Sequence, residues 1–153
     1  MNPIQEQINR SLRKHEQEEL VSKHRLAIKE CRKARDKAEE LARQFKAQQQ
    51  EVAILEQGHT NANEAIRNLT SKRDKEELPT DAELKFYESE LARLNIIVQD
   101  RLQALLQGRT VLETLRRAFL QADGLYIASQ RAVRTLKNIL DGEYPKGGIS
   151  GVR

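Results

Sequence analysis

Apolar residues in the first half of the chain recur at alternating intervals of three and four positions. Between Leu20 and Leu69 this spacing meets 15 positions, of which 12 are apolar. The overall hydrophobic content of 38% would give about six by chance. A seven-residue repeat held without a change of phase is typical of a helix that packs on another helix in a left-handed coiled coil. We call these positions the first seam: Leu20, His24, Ala27, Cys31, Ala34, Ala38, Leu41, Phe45, Gln48, Val52, Leu55, His59, Ala62, Ile66 and Leu69.

The second half of the chain carries the same repeat. From Leu84 to Leu140 the spacing meets 17 positions, and 14 of them are apolar. The sequence therefore predicts a second long helix, with its own buried stripe. This second seam comprises Leu84, Tyr87, Leu91, Leu94, Val98, Arg101, Leu105, Gly108, Leu112, Leu115, Phe119, Ala122, Tyr126, Ser129, Val133, Leu136 and Leu140.

The segment between the two seams carries the clearest turn signal in the chain. Pro79 lacks an N–H group and disfavours helix at Leu78. Thr80 and Glu83 have the spacing of a capping box, which marks a helix N-terminus. We therefore predict helix one over about 4–76, a turn at about 77–80, and helix two over about 81–141. A link this short makes the two helices antiparallel neighbours.

The predicted fold class is all-α: a long antiparallel coiled-coil hairpin, in one domain over 1–141, that oligomerises into a larger helical bundle. Helix two is expected to end at Asp141 and Gly142, with residues 142–153 forming a flexible glycine-rich tail. Gly58 and Gly124 are possible helix breaks. Because the heptad phase passes through both glycines unchanged, we expect both helices to continue.

Side-chain size suggests which residues face each other across the two seams. With Phe45 opposite Gly108, a large residue meets a small one, and the same register brings His24 beside Ser129 in a polar layer. This is the preferred register. A shift by one heptad also gives good pairs and remains the alternative.

Helix two has a third apolar column directly beside its seam. A two-stranded coiled coil buries only two columns, so a third implies that another helix packs against it. We predict an interface there, for a second copy of the chain or for another protein. The alternative is that Ile28 and Ala42 of helix one cover part of it. The predicted partner-binding residues, called the flanking column below, are Ile97, Ala104, Val111, Ala118, Leu125, Ala132 and Ile139.

Composition and charge favour a thin core and an uneven charge distribution. Charged residues make up 33% of the 153 residues and aromatic residues only 4%, which is too little bulk for a compact globule. Residues 1–50 carry a net charge of +4, residues 51–100 carry −5 and residues 101–153 carry +5. A hairpin therefore has an acidic tip and a basic end, and the latter suggests nucleic-acid binding as an alternative function. The predicted basic end comprises Lys29, Arg32, Lys33, Arg35, Lys37, Arg116 and Arg117.

No residue pattern predicts catalysis, a cofactor or a metal site. Cys31 is the only cysteine, so no disulfide framework exists, and a cytoplasmic location is the default expectation. His24 and Cys31 lie seven residues apart on a helix, about 10 Å, which is too far for one zinc ion. We interpret His24, Gln48 and His59 as polar seam residues that fix the register. No membrane span and no secretory signal are predicted.

Two functional hypotheses follow. The first is a non-enzymatic coiled-coil protein that mediates protein–protein contacts as an assembly scaffold, adaptor or chaperone-like stalk. The second is an architectural protein that associates with nucleic acid and binds phosphate through the basic end. No small-molecule substrate is expected for either.

Overall fold

The computed structural model describes residues 2–143 and consists there of two long helices that pack against each other. Helix α1 spans Pro3–Asp74 and helix α2 spans Asp81–Glu143. The predicted all-α hairpin is confirmed. Contacts group the chain into two units, Met1–Leu41 with Phe119–Arg153, and Ala42–Ala118. The first is called the terminal unit and the second, which contains the turn, the turn unit.

Both helices begin with a side-chain cap. The amide of Ile4 donates to Asn2 Oδ1 at 2.9 Å, and Pro3 occupies the first helical position, where a missing N–H costs nothing. At the start of α2, the Glu83 amide donates to Thr80 Oγ1 at 3.2 Å, and the Thr80 hydroxyl donates to Glu83 Oε1 at 3.2 Å. Thr80 therefore caps α2 as the sequence predicted.

The two seams are the buried stripes of the helices. All 15 positions of the first seam are buried or half-buried. In the second seam only Leu84 and Arg101 are exposed. The core is thin, as the low aromatic content suggested. Its most buried apolar side chains are Val52, Ala62, Tyr87 and Leu105 in the turn unit, and Ala38 and Ala122 in the terminal unit.

The register in the turn unit differs from the preferred prediction. A Cβ atom built on Gly108 would lie 3.5 Å from Val52 Cγ2 and 2.9 Å from Leu55 Cδ1. Gly108 therefore faces Val52 rather than Phe45, which is the register shifted by one heptad. The preferred register was wrong because it depended on a few pairs of a large and a small residue, and the shifted alignment also places a larger residue, Val52, against Gly108.

Two polar seam residues donate hydrogen bonds across the pair of helices in the turn unit. Gln48 Nε2 donates to the main-chain oxygen of Gly108 at 3.0 Å. Arg101 Nη1 donates to the main-chain oxygen of Gly58 at 2.7 Å. Each bond joins one particular side chain to one particular carbonyl of the other helix. A shift of the helices by seven residues would break both bonds, so both favour the observed register.

The polar layer predicted for the terminal unit does not form. Ser129 donates its hydroxyl to the Leu125 carbonyl of its own helix at 2.8 Å, a common arrangement for serine within a helix. His24 Nε2 is shielded from solvent and has no hydrogen-bond partner. The predicted pairing of His24 with Ser129 was therefore wrong.

A disulfide cross-link tests the observed register. In a Cys31→Ser background, we expect Val52→Cys and Gly108→Cys together to form an intramolecular disulfide, because a Cβ atom at Gly108 would lie 3.5 Å from Val52 Cγ2, which stands where a cysteine sulfur can lie. Phe45→Cys with Gly108→Cys, the pair of the other register, serves as the control and should remain reduced. Non-reducing electrophoresis measures both. Preferential cross-linking of the control pair would contradict the register.

The helix ends differ slightly from the predicted bounds. Helix α1 ends at Asp74 rather than near residue 76, and α2 continues to Glu143, so Gly142 is helical. The remaining part of the predicted tail lies outside the described residues. Neither Gly58 nor Gly124 interrupts its helix, which confirms the expected continuity.

Candidate interaction surface

The flanking column of α2 is partly exposed along its length. In the turn unit, Val111 is 47% exposed, whereas Ile97, Ala104 and Ala118 are half-buried. In the terminal unit, three of its members are exposed, with Leu125 at 58% and Ile139 at 40%; the third is Ala132. Apolar area thus remains on this column after the hairpin has formed.

Ile28 and Ala42 are the α1 residues that were considered as a cover for this column. Both are half-buried, and both share a heptad position with Glu56, which lies on the same column of α1. Glu56 forms an ion pair with Arg109 Nη2 at 2.9 Å in the turn unit. On α2, Arg109 directly follows a residue of the second seam, whereas each member of the flanking column directly precedes one. Arg109 and the flanking column therefore lie on opposite sides of the second seam. In the turn unit, the flank of α1 that carries Ala42 therefore lies beside Arg109 rather than beside the column, whereas a cover by Ile28 in the terminal unit stays the alternative prediction.

In the turn unit, three neighbouring heptad columns on the surface of α2 contain no charged residue in the stretch beside Val111. Its threonine hydroxyls donate within their own helix, from Thr110 to the Leu106 carbonyl at 3.0 Å and from Thr114 to the Thr110 carbonyl at 3.1 Å. A second helix could therefore cover them without leaving a donor unsatisfied. This uncharged patch consists of Gln103, Ala104, Gln107, Thr110, Val111 and Thr114.

Charged residues border the uncharged patch at its two ends. Asp100 lies at one end and has no ion-pair partner among the described residues. Arg117 lies at the other end, is 76% exposed, and contacts Glu113 at 3.0 Å. The patch thus has a negative and a positive border on a single helix.

The sequence reasoning missed a second group of exposed apolar side chains on α2. Leu106 is 46% exposed, Leu120 53% and Ile127 41%, and all three share one heptad position. The same spacing places Glu113 and Arg134 on this column, so charges interrupt it. Single exposed leucines between charged residues are ordinary surface features. These side chains are useful as controls, because their exposure matches that of the flanking column.

Most of the predicted basic end is engaged in ion pairs. Lys33 lies 3.7 Å from Glu30 and Arg35 lies 3.1 Å from Asp36 in the terminal unit. Arg116 and Arg117 both contact Glu113 in the turn unit, at 2.8 and 3.0 Å. Lys29, Arg32 and Lys37 form no ion pair among the described residues.

The members of the basic end are divided between the two units. The two arginines belong to the turn unit, and the five α1 residues belong to the terminal unit. The expected proximity of the five α1 residues to Arg116 and Arg117, and binding of nucleic acid, both stay predictions.

Glu113 is the most strongly perturbed carboxyl in the turn unit. The guanidinium of Arg116, assisted by that of Arg117, lowers the pKa of Glu113 to about 2. Glu113 is therefore ionised near neutral pH, and it neutralises part of the positive charge of its two neighbours. All three side chains are well exposed, so the ion pairs make a small contribution to stability.

A hydrogen bond joins the end of α1 to the start of α2 at the turn. The hydroxyl of Tyr87, a buried side chain, donates to Glu76 Oε1 at 2.7 Å. This bond lowers the pKa of Glu76 and raises the pKa of Tyr87 to about 12. The acidic tip predicted from composition is thus tied to the core through one phenol.

The Tyr87 phenol is expected to ionise late in a spectroscopic titration. Subtracting the phenolate absorbance of a Tyr87→Phe variant from that of the unaltered protein should isolate one group with a midpoint near pH 12. Because the folded pKa lies above the unfolded value of about 10, this bond stabilises the fold fully below pH 10. Its contribution is lost as the pH rises through 12. A midpoint at the unfolded value would contradict the assigned hydrogen bond.

Among residues 2–143, no group of three or more His, Cys, Asp or Glu side chains is arranged to hold a metal ion. Within the same range, neither helix contains an apolar stretch long enough to cross a bilayer. A surface depression near the turn is lined by the last turns of α1 and the residue that follows them, with Ile66, Thr70, Asp74 and Lys75 among its lining. It holds no paired nucleophile and base. The uncharged patch and the flanking column are therefore the features best suited to binding.

Comparison with known proteins adds no assignment. No protein-family model, curated protein or solved structure matches the chain.

Proposed function

We propose that this protein is a non-enzymatic, cytoplasmic coiled-coil protein that mediates protein–protein contacts, as an assembly scaffold, adaptor or chaperone-like stalk. Its binding surface is the flanking column of α2 together with the uncharged patch beside Val111. The partner is a helix, because a straight apolar column on a helix is complementary to another helix laid along it.

One observation carries the proposal. Val111 and Leu125 remain 47% and 58% exposed, although the seam beside them is buried. In a chain that is 33% charged, an exposed apolar column is costly to leave in water unless something covers it. The hydroxyls of Thr110 and Thr114 already have acceptors, so covering the patch costs little polar desolvation.

A catalytic function has less support in the same geometry. Catalytic groups need a concave site that shifts their pKa values toward the working pH. The shifted carboxyls, Glu76, Glu90 and Glu113, all have lowered pKa values, caused first by hydrogen bonds with neighbouring side chains. Such groups are weak bases near neutrality. The proposal therefore assigns binding, and no reaction, to this protein.

Site-specific photocross-linking in the native host tests the proposal. A photoreactive amino acid at Val111 or at Leu125 is expected to give covalent protein adducts, because these side chains lie at the centre of the proposed interface. The matched controls are Leu106 and Leu120, which are similarly exposed at 46% and 53% but lie on the interrupted column. Adducts at Val111 and Leu125 should exceed those at the controls severalfold, because only the side chains inside the interface lie within reach of the partner.

The mass of each adduct identifies the occupant. An adduct equal to two copies of the chain indicates self-association, and any other mass indicates a different protein. Equal adduct yields at all four positions, or none at Val111 and Leu125, would refute the proposed interface.

A further inference from the structure

We propose that the occupant of this surface in the turn unit is a second copy of the same chain, packed antiparallel along residues 97–118 of α2. The inference rests on the proposed function, since it names the partner for the same surface. Three observations support it: alternating side-chain size, complementary charge at the two borders, and an amide at the centre.

The order of side-chain sizes along the flanking column fits the same column of a second copy that runs in the opposite direction. In order, the column reads Ile97, Ala104, Val111 and Ala118, so large and small residues alternate. When two copies run antiparallel about a centre near Gln107, Ile97 faces Ala118 of the second copy and Ala104 faces its Val111. Every large side chain then meets a small one, which lets two helices approach closely. A parallel pair would instead place each residue against itself.

The charges at the borders are complementary in the same arrangement. Asp100 of one copy lies opposite Arg117 of the second, and the two-fold axis generates the pair twice. Asp100 has no ion-pair partner within the described residues, and Arg117 is 76% exposed with donors to spare beyond its contact with Glu113. In an isologous interface the same surface of both copies is in contact, so that surface must be complementary to itself. The proposed surface is self-complementary in side-chain size and in charge.

The centre of the arrangement holds an exposed glutamine from each copy. Gln107 lies within the uncharged patch and forms no hydrogen bond among the described residues. Its amide offers both donors and an acceptor, so the two Gln107 side chains can bond to each other across the axis. The patch from Gln103 to Thr114 is about 16 Å long, and residues 97–118 extend the contact to about 32 Å.

Sedimentation equilibrium of the purified full-length chain tests the stoichiometry. The unaltered protein is expected to be a dimer at micromolar concentration, and Val111→Lys should raise the dissociation constant at least 100-fold, because two lysines would then face the small Ala104 side chains. Leu106→Lys is the matched control, since Leu106 is 46% exposed and Val111 47%. It should leave the dissociation constant within about threefold. Circular dichroism checks that both variants retain their helices.

Single-cysteine variants test the orientation in a Cys31→Ser background. Ala104→Cys alone and Val111→Cys alone should give little covalent dimer on mild oxidation, whereas a mixture of the two should cross-link readily. A parallel pair gives the reverse, with each variant linking to itself. This reverse pattern would overturn the antiparallel arrangement.

Charge exchange tests the border contacts. Asp100→Arg and Arg117→Asp are each expected to weaken the dimer by about tenfold, and the double variant should recover most of the loss because it restores opposite charges across the interface. Additive losses would overturn the assigned pairs.

The outcomes separate this inference from the proposed function. A chain that stays monomeric throughout the micromolar range overturns the second copy as occupant, yet heterologous adducts at Val111 would still support a docking surface. A dimer unaffected by Val111→Lys overturns the assignment of the surface itself.

Discussion

Replacing Leu105 with alanine is expected to lower the free energy of unfolding by about 2–5 kcal/mol. Leu105 is 3% exposed and lies in the second seam, within the turn unit. Two helices in contact enclose little apolar volume, so few neighbours can move to fill the cavity. Urea denaturation followed by circular dichroism, at one fixed protein concentration, measures the change.

The adjacent residue provides the control for this prediction. Leu106 is 46% exposed, so Leu106→Ala removes the same atoms from a site that is already hydrated. Its effect should stay within about 0.5 kcal/mol. Comparable losses for Leu105→Ala and Leu106→Ala would mean that the seam does not form the core.

Replacing Gly108 with leucine is expected to destabilise the protein by about 1–3 kcal/mol. Even a Cβ atom at this position would lie 2.9 Å from Leu55 Cδ1 and 3.7 Å from Gln48 Nε2. The longer side chain must therefore displace both Leu55 and Val52, and it separates the helices where Gln48 bonds to the Gly108 carbonyl. Thermal unfolding at fixed protein concentration measures the loss.

The same substitution at Gly124 should have the opposite sign. A Cβ atom at Gly124 would meet nothing within 4 Å, and the residue lies within α2. Leucine favours helix over glycine by roughly 0.5–1 kcal/mol, so Gly124→Leu should raise the melting temperature. If Gly108→Leu and Gly124→Leu shift the melting temperature in the same direction, the result contradicts the close approach of the two helices at Gly108.

The sequence predicted the elements of the fold because their signals are local and repeated. Heptad spacing identifies a buried stripe without knowledge of its partner, and every residue of the first seam is indeed at least half-buried. Thr80 and Glu83 identified the start of α2 because a capping box depends on a four-residue spacing alone.

The register could not be predicted in the same way. Both alignments place apolar residues opposite apolar residues, so they differ only in specific contacts. Those contacts are bonds from Gln48 and Arg101 to main-chain carbonyls. Every residue has a carbonyl, so the sequence of the accepting helix carries no signal for them.

The candidate surface was predicted only in part for a related reason. The sequence showed the flanking column itself. How much of that column stays exposed depends on which flank of α1 lies beside each flank of α2. The ion pair between Glu56 and Arg109 establishes that flank, and it involves two residue types that are common throughout the chain. The neutralisation of Arg116 and Arg117 by Glu113 follows from spacings of three and four, and closer attention to those spacings would have found it.

The bonds that hold Val52 opposite Gly108 also restrict how homologous chains of this type can change in length. Inserting one residue into either helix turns everything beyond it by about 100° and moves the apolar stripe away from its partner. Insertions of three or four residues overwind or unwind the coil locally. Every layer of the seam is preserved only when seven residues, or a multiple of seven, are gained or lost in both helices at positions that face each other. Orthologues that differ in length within the paired parts of the two helices should therefore differ there by 14 residues, or a multiple of 14, divided equally on either side of the turn.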